Sequence, residues 1–254
     1  MNPPRVGFVI GGAQKSGTSA LALYLARQPG LALPHGKEAH VFDAPDFDDD
    51  ADAAAVDARY AALFDPPREG TLYGDATPIY LLHPRFVDRI HRYNPGMRWI
   101  LLLRHPVDRA ISQYRMERRR GDERLPLSLA LALERQRLSG HGDDFSFGSP
   151  LRHHGYRLRG DYARQLDALY ARFPRQQVLL LRHELLARDP QAVVARCLRF
   201  LGRDALPVPG DYPRVHAGEY AHWPTDDWRR RLLAWWWRSD IRAQRRHGID
   251  WEAT

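Results

Sequence analysis

The chain has 254 residues, 44% hydrophobic and 27% charged, which fits a soluble globular protein with one well-buried α/β core. A single cysteine, Cys197, excludes an intramolecular disulfide and fits a reducing compartment. The formal net charge of +7 favours an anionic partner such as a nucleotide, an acidic glycan, a nucleic acid or a membrane surface.

The elements follow in chain order. The opening "MNPPRVGFVIGG" has too short an apolar run for a signal peptide, and no stretch reaches the ~18 apolar residues of a membrane span. The expectation is a cytoplasmic protein with one domain over residues 1–254. "RVGFVI" (5–10) reads as a buried strand, and "TSALALYLARQ" (18–28) as a helix stopped by Pro29 and Gly30. Residues 30–43 form a short extended segment and loop. Residues 46–64 start acidic and turn helical, with Asp48, Asp49 and Asp50 read as the carboxylate-rich first turn of a helix. A short strand or turn and a helix fill 71–96.

"MRWILLLRHPVDRAISQYRMERRRG" (97–121) is a second strand–loop–helix unit, with Pro106 at a favoured first-turn position. A further helix follows, then a polar, glycine-rich loop over 139–155 that reads as mobile. Residues 161–173 form an amphipathic helix and 176–186 a third buried strand. Residues 189–202 form a helix, with Cys197 in its apolar pattern and Gly202 as its stop. The last helix, 225–248, is capped by Thr225, Asp226 and Asp227. Trp235, Trp236 and Trp237 cannot share one helix face, so one or two are core anchors and the rest are exposed or touch a partner. A membrane surface is one such partner. Strands alternating with helices imply a central parallel sheet flanked by helices.

The chemistry concentrates in "GGAQKSGTSAL" (11–21), a glycine loop between a strand and a helix N-terminus. Free backbone N–H groups and the helix dipole make such a loop an anion cradle. The spacing from Gly12 to Gly17 fits a Walker A loop, but Thr18 stands where that motif needs lysine, and the lysine is Lys15. Of 38 basic residues only Lys15 and Lys37 are lysines. A lysine inside the loop of an arginine-rich chain points to a slim ammonium reaching an anion.

This loop resembles the 5′-phosphosulfate loop of sulfotransferases that use 3′-phosphoadenosine 5′-phosphosulfate (PAPS). A second stretch, "LLLRHPVDRAISQY" (101–114), is similar to the same family's 3′-phosphate motif, with Arg104 at the strand end and Ser112 on the following helix. A guanidinium can clamp a phosphate bidentately and a hydroxyl adds a donor, so this pair would separate PAPS from ATP. "HGKEAHVFD" (35–43) and "GDATPIYL" (74–81) resemble segments of the heparan sulfate branch. The resemblance makes Glu38 the catalytic base. His35 and His40 are the spare candidates, and His40 reads more readily as structural support of the loop. One departure is Ala76, where those glycan enzymes carry a second lysine; Lys37 or an arginine would have to compensate. Arg214 and His216 fall where the family closes a loop on the nucleotide.

The resemblance implies a P-loop-type three-layer α/β sandwich. It also implies a donor site of Lys15, Ser16, Gly17, Thr18, Ser19, Arg104, Ser112, Arg214 and His216, with Lys15 and Glu38 as catalytic residues. PAPS is the expected co-substrate, 3′-phosphoadenosine 5′-phosphate (PAP) the product, and no metal is expected. The expected acceptor is a carbohydrate or glycolipid hydroxyl, with no nucleic acid as partner. The arginine run 118–120 and the loop of Arg152, His153 and His154 either line an acceptor cleft or form a solvated face. Two other readings stand beside this one: a P-loop kinase or NTPase using ATP with magnesium, and a non-enzymatic nucleotide or nucleic-acid binder.

Overall fold

A computed structural model describes residues 4–36, 38–66, 68–203, 212–213 and 227–251. Five strands, β1 (Val6–Gly12), β2 (Leu31–Ala32), β3 (Leu72–Asp75), β4 (Arg98–Leu103) and β5 (Val178–Arg182), form one sheet in the order β2-β3-β1-β4-β5. Every neighbouring pair is parallel. The near-continuous apolar runs of β1 and β4 suit a sheet covered on both faces.

The fold resolves into two compact units. The first comprises Met1–Leu103 and Ala168–His216, and the second Arg104–Asp167 and Ala217–Thr254. In the first unit, Phe8, Ile10, Ile100 and Leu102 point to one face of the sheet. There they meet helix α1 (Thr18–Ala26) and Val193, Val194, Cys197 and Leu198 of a later helix, Pro190–Phe200. Burial pushes the Cys197 thiol up to about 12, in keeping with its place in this core. On the other face, Trp99 packs at a tilt against Phe173 with ring centroids 5.6 Å apart, and Phe42 packs on Tyr60, Tyr80 and Tyr93. Tyr60 belongs to α2 (Ala53–Ala61) and Tyr93 to α3 (Pro84–Tyr93).

Aspartates 48–50 lie before α2, which is capped by Asp52 through a 2.8 Å bond from the Ala55 N–H. The reading of that run as a helix start is therefore corrected. Asp49 instead accepts from Arg85, Arg89 and Arg92 of α3, and the Arg89 bond leads in holding its carboxyl far below the usual range.

The second unit is built on α4 (Pro106–Arg120), closed by Gly121 in the left-handed conformation. Val107, Ala110 and Ile111 of α4 form a core with Tyr156 and Trp237. The expected helix over 122–138 is two short ones, α5 (Leu127–Ala132) and α6 (Glu134–Leu138). The stretch expected to be mobile contains α7 (Pro150–His153), and Arg152 is buried, its Nε donating to the Phe145 carbonyl at 3.0 Å. In the first unit, α9 (His183–Arg188) and α10 (Pro190–Phe200) follow β5; α8 (Tyr162–Tyr170) lies before that strand. The C-terminal helix is broken: α11 (Trp228–Trp236) starts at an Asp227 cap, and α12 (Arg238–Ala243) follows Trp237. Thr225 and Asp226 lie outside the described residues. Among the described residues no helix is long and apolar enough to cross a membrane.

Candidate active site

In an open parallel sheet the ligand crevice lies at the carboxyl ends of the strands where the order reverses. Here that point is at β1, flanked by β3 and β4. The chain leaving β1 turns at once into residues 13–17. The Ala13 N–H donates to the Leu102 carbonyl at 2.8 Å and the Ser16 N–H to the Ala13 carbonyl at 3.1 Å, which coils the loop against the end of β4. Lys15 has φ 70° and Gly17, the N-cap of α1, has φ 96°. A side chain at Gly17 would be strained by that φ and would meet His183 Nδ1 at 3.1 Å.

The first helix bonds run from the Ala20 and Leu21 N–H groups, both to the Gly17 carbonyl. The N–H groups of Gly17, Thr18 and Ser19 thus have no acceptor within the helix and carry its positive end. Ser16 is fully buried, and its Oγ has no hydrogen-bond partner. The ring of His183, the residue after β5, donates from Nδ1 to the Ser16 carbonyl at 2.8 Å and props the loop from behind. This ring was not legible in the sequence. Nothing local marks it, and it reaches the loop from 167 residues away.

Glu38 emerges beside the carboxyl end of β3, the neighbour of β1. His40 lies in the left-handed region, at φ 51°. Its ring sits between two carboxylates, Nε2 at 3.2 Å from Glu38 and Nδ1 at 2.8 Å from Asp43. Burial opposes charging of this ring, but the bonds to Asp43 and Glu38 outweigh it and raise its pKa to about 9. His40 is therefore an imidazolium at neutral pH, and Glu38 is held by a cation.

Beneath this segment lies Asp75, fully buried at the end of β3. Its carboxylate accepts from Thr77 Oγ1 at 2.6 Å, Tyr80 OH at 2.6 Å and Tyr60 OH at 2.8 Å. Thr77 Oγ1 in turn accepts from the His40 N–H at 3.3 Å, and Tyr80 OH from the Val41 N–H at 3.1 Å. Burial raises the Asp75 carboxyl and the hydroxyl donors pull it back; the net direction is upward. Asp75 escaped the sequence reading, although it lies in the quoted "GDATPIYL". Ala76 is buried in the core beside it, so no cation stands there. Lys37 lies outside the described residues.

In the second unit, Arg104 directly precedes the α4 N-cap His105, and its carbonyl accepts from Tyr162 OH at 3.0 Å. Ser112 lies largely buried on α4. Arg214 and His216 lie outside the described residues. Of the basic clusters read as either a cleft or a solvated face, Arg118, Arg119 and Arg120 are exposed, and some members of both clusters bond the chain. Arg118 donates to the Arg124 carbonyl at 2.8 Å, and His154 bonds the Asp122 carbonyl at 3.1 Å. Glu117, Asp122 and His153 come close enough to suggest a cation site. However, the ring of His153 places Nδ1 3.0 Å from Glu117 and Nε2 2.8 Å from the Phe147 carbonyl, and the Glu117 bond raises its pKa. The cluster reads as an ion pair that ties α7 to α4.

A parallel sheet with a glycine loop and helix N-terminus at its switch point defines the P-loop type of α/β fold, with helices on both faces. The sulfotransferase domain family profile matches residues 7–211, and the chain belongs to that family. The match runs through segments of both units. Heparan sulfate glucosamine 3-O-sulfotransferase 6 of Mus musculus is 31% identical over 197 residues, 76% of this chain and 51% of that protein. The chain thus spans about half the length of the curated relatives it matches first. A crystal structure of a sulfotransferase from Alicyclobacillus acidocaldarius superposes with a TM-score of 0.79 at 32% identity, covering 98% of both chains. The sulfotransferase domain of a Synechococcus PCC 7002 olefin synthase shares the fold, with a TM-score of 0.54 at 21% identity.

Proposed function

We propose that the protein transfers a sulfuryl group from PAPS to an acceptor hydroxyl, with a carbohydrate or glycolipid as the acceptor class. The observation that carries this reading is the loop of residues 13–17. It keeps a buried, unpaired Ser16 hydroxyl and the unbonded N–H groups of a helix N-terminus together at the switch point of the sheet. These are the donors an anionic oxygen requires. Family membership supports sulfuryl over phosphoryl transfer, and the names of the relatives support a glycan acceptor. A cytoplasmic setting and a single functional domain over 1–254 belong to the same proposal.

Bound PAPS supplies an activated sulfuryl group with PAP as its leaving group. The Lys15 ammonium neutralises charge that grows on the leaving oxygen, and the Gly17–Ser19 N–H groups with the Thr18 and Ser19 hydroxyls hold the 5′-phosphate. Glu38 takes the acceptor proton. His40 holds Glu38 in place, and Asp43 bonds the other ring nitrogen of His40. Arg104 and Ser112 receive the 3′-phosphate.

Calorimetric titration with PAP, beside ATP with magnesium, tests the donor. PAP should bind at least ~10-fold tighter, and Arg104→Ala should erase the preference, since charge-assisted bonds to phosphate are worth about 1.5–3 kcal/mol. Equal binding of ATP, untouched by Arg104→Ala, would favour the kinase reading.

A further inference from the structure

Helix α11 carries two apolar faces. Trp237, the residue that ends it, is buried in the α4 core, and Leu233 and Ala234 pack against the same core. On the opposite side Trp228 is 70% exposed, Leu232 55%, Trp235 60% and Trp236 43%. Positions 228, 232, 235 and 236 are spaced by fours and threes, so they form one stripe. A surface helix ordinarily turns its polar side outward; this one turns out three indoles and a leucine.

The borders of the stripe are basic. Arg231, Arg238 and Arg242 are exposed on its flank. Arg231 and Arg242 have no carboxylate partner among the described residues, and Arg238 lies over the Trp235 ring at 4.5 Å. Next to Trp235 opens a cavity of about 360 Å³, lined by Arg230, Arg238, Arg242, His105 and Trp251. Arg230 is paired there with Asp108 at 2.8 Å, which leaves the outer arginines to meet an incoming anion.

We infer that the α11–α12 face docks on an anionic bilayer surface. Indoles prefer the headgroup level of a membrane, and a leucine among them reaches the acyl boundary. Guanidinium groups beside them meet lipid phosphates, and the cavity beside Trp235 is wide enough to receive a headgroup. A second copy of the chain fits less well: a twofold contact on this stripe would set its arginines against their own copies. A helical peptide partner fits less well too, because such peptides seat in grooves and a single helix face is convex. The inference does not depend on the sulfuryl-transfer reading.

The test is sedimentation of the full chain with large vesicles of phosphatidylcholine alone, and with about a third of the lipid as phosphatidylserine. Binding should require the anionic lipid, weaken with salt and shift tryptophan emission to the blue. Trp235→Ala with Trp236→Ala should lower vesicle affinity more than ~10-fold by removing buried apolar area. Arg231→Ser and Arg242→Ser should each cost about fivefold. All four positions are exposed, so thermal unfolding should be unchanged; if the tryptophan pair misfolds, Arg231→Glu alone carries the test. The proposal fails if both vesicle types bind alike or the variants bind as well as the parent. It also fails if glycerophosphoserine in solution displaces the protein, which would make the cavity a site for a free anion. A dimer in solution that the tryptophan variant abolishes would make a second copy the occupant, and would equally overturn it.

Discussion

The loop of residues 13–17 and the segment of residues 38–43 emerge beside adjacent strands, yet treat their polar groups in opposite ways. The loop leaves Ser16 Oγ buried and unpaired and holds Lys15 and Gly17 at positive φ. The segment pairs its charged ring and the carboxylate beneath it. His40 pairs with two carboxylates, and the Asp75 beneath it accepts from three hydroxyls. A buried polar group without a partner costs about 1–3 kcal/mol. A fold keeps such a cost where a ligand removes it. A proposed base such as Glu38, by contrast, must be aimed before an acceptor arrives, and here the His40 ring beside it is already bonded on both nitrogens.

Four substitutions separate the two regions. The largest effect is expected for Glu38→Gln, a kcat loss of ~10²–10⁴ with PAP affinity unchanged; near-normal turnover would place the base elsewhere. Asp75→Asn turns an acceptor-only group into one that also presents an amide to three hydroxyls. It should cost about 2–3 kcal/mol in urea unfolding and lower kcat more than it raises the KM for PAPS. A loss confined to stability would strip Asp75 of any part in aiming Glu38.

His40→Gln tests the segment through pH. The folded pKa of about 9 lies above the ordinary 6.5, so protonation favours the fold. That contribution is complete below the ordinary 6.5 and is lost as pH rises through about 9. After allowance for partial exposure, the parent should exceed the variant by about 1–2 kcal/mol at about pH 6 and match it near pH 10. A gap that does not change with pH would mean that packing, and not charge, is what His40 contributes. The smallest effect belongs to the loop. Ser16→Ala should weaken PAP binding ~5–10-fold yet leave the ligand-free protein as stable or up to about 1 kcal/mol more stable. If the ligand-free variant is clearly less stable, Ser16 is a structural hydroxyl and the contrast between the two regions collapses.

Much of the loop side was legible in the residues. The apolar run before Gly12, the misplaced lysine and the helix after Gly17 predict an anion cradle. The helix opened by Pro106 is observed as read, and the strand read as ending at Arg104 ends one residue earlier, at Leu103. The support side was legible only in part. Glu38 and His40 stood out by resemblance, and a structural part for His40 was expected. Asp75 was passed over because its importance shows only where its carboxylate gathers Tyr60, from another element, together with Thr77 and Tyr80 of its own stretch. The aspartates at 48–50 misled because a helix dipole is the nearest local explanation for acidic residues, while the counter-charges of Asp49 sit on α3. The final helix read as continuous because nothing in local propensity marks Trp237 as the residue that turns into the core.

The division follows the range of the forces. A strand, a glycine turn, a cap and a free helix N-terminus depend on φ and ψ preferences and on bonds a few residues long, so the order of residues in the chain was enough to announce them. The His183 prop spans 167 residues, the His40–Thr77 bond 37 and the Tyr60–Asp75 bond 15. Which partners meet across such separations is settled when the sheet closes in its 2-3-1-4-5 order. Burial then gives those meetings their strength, because a carboxylate or imidazole removed from water is tolerated only where its hydrogen bonds are met.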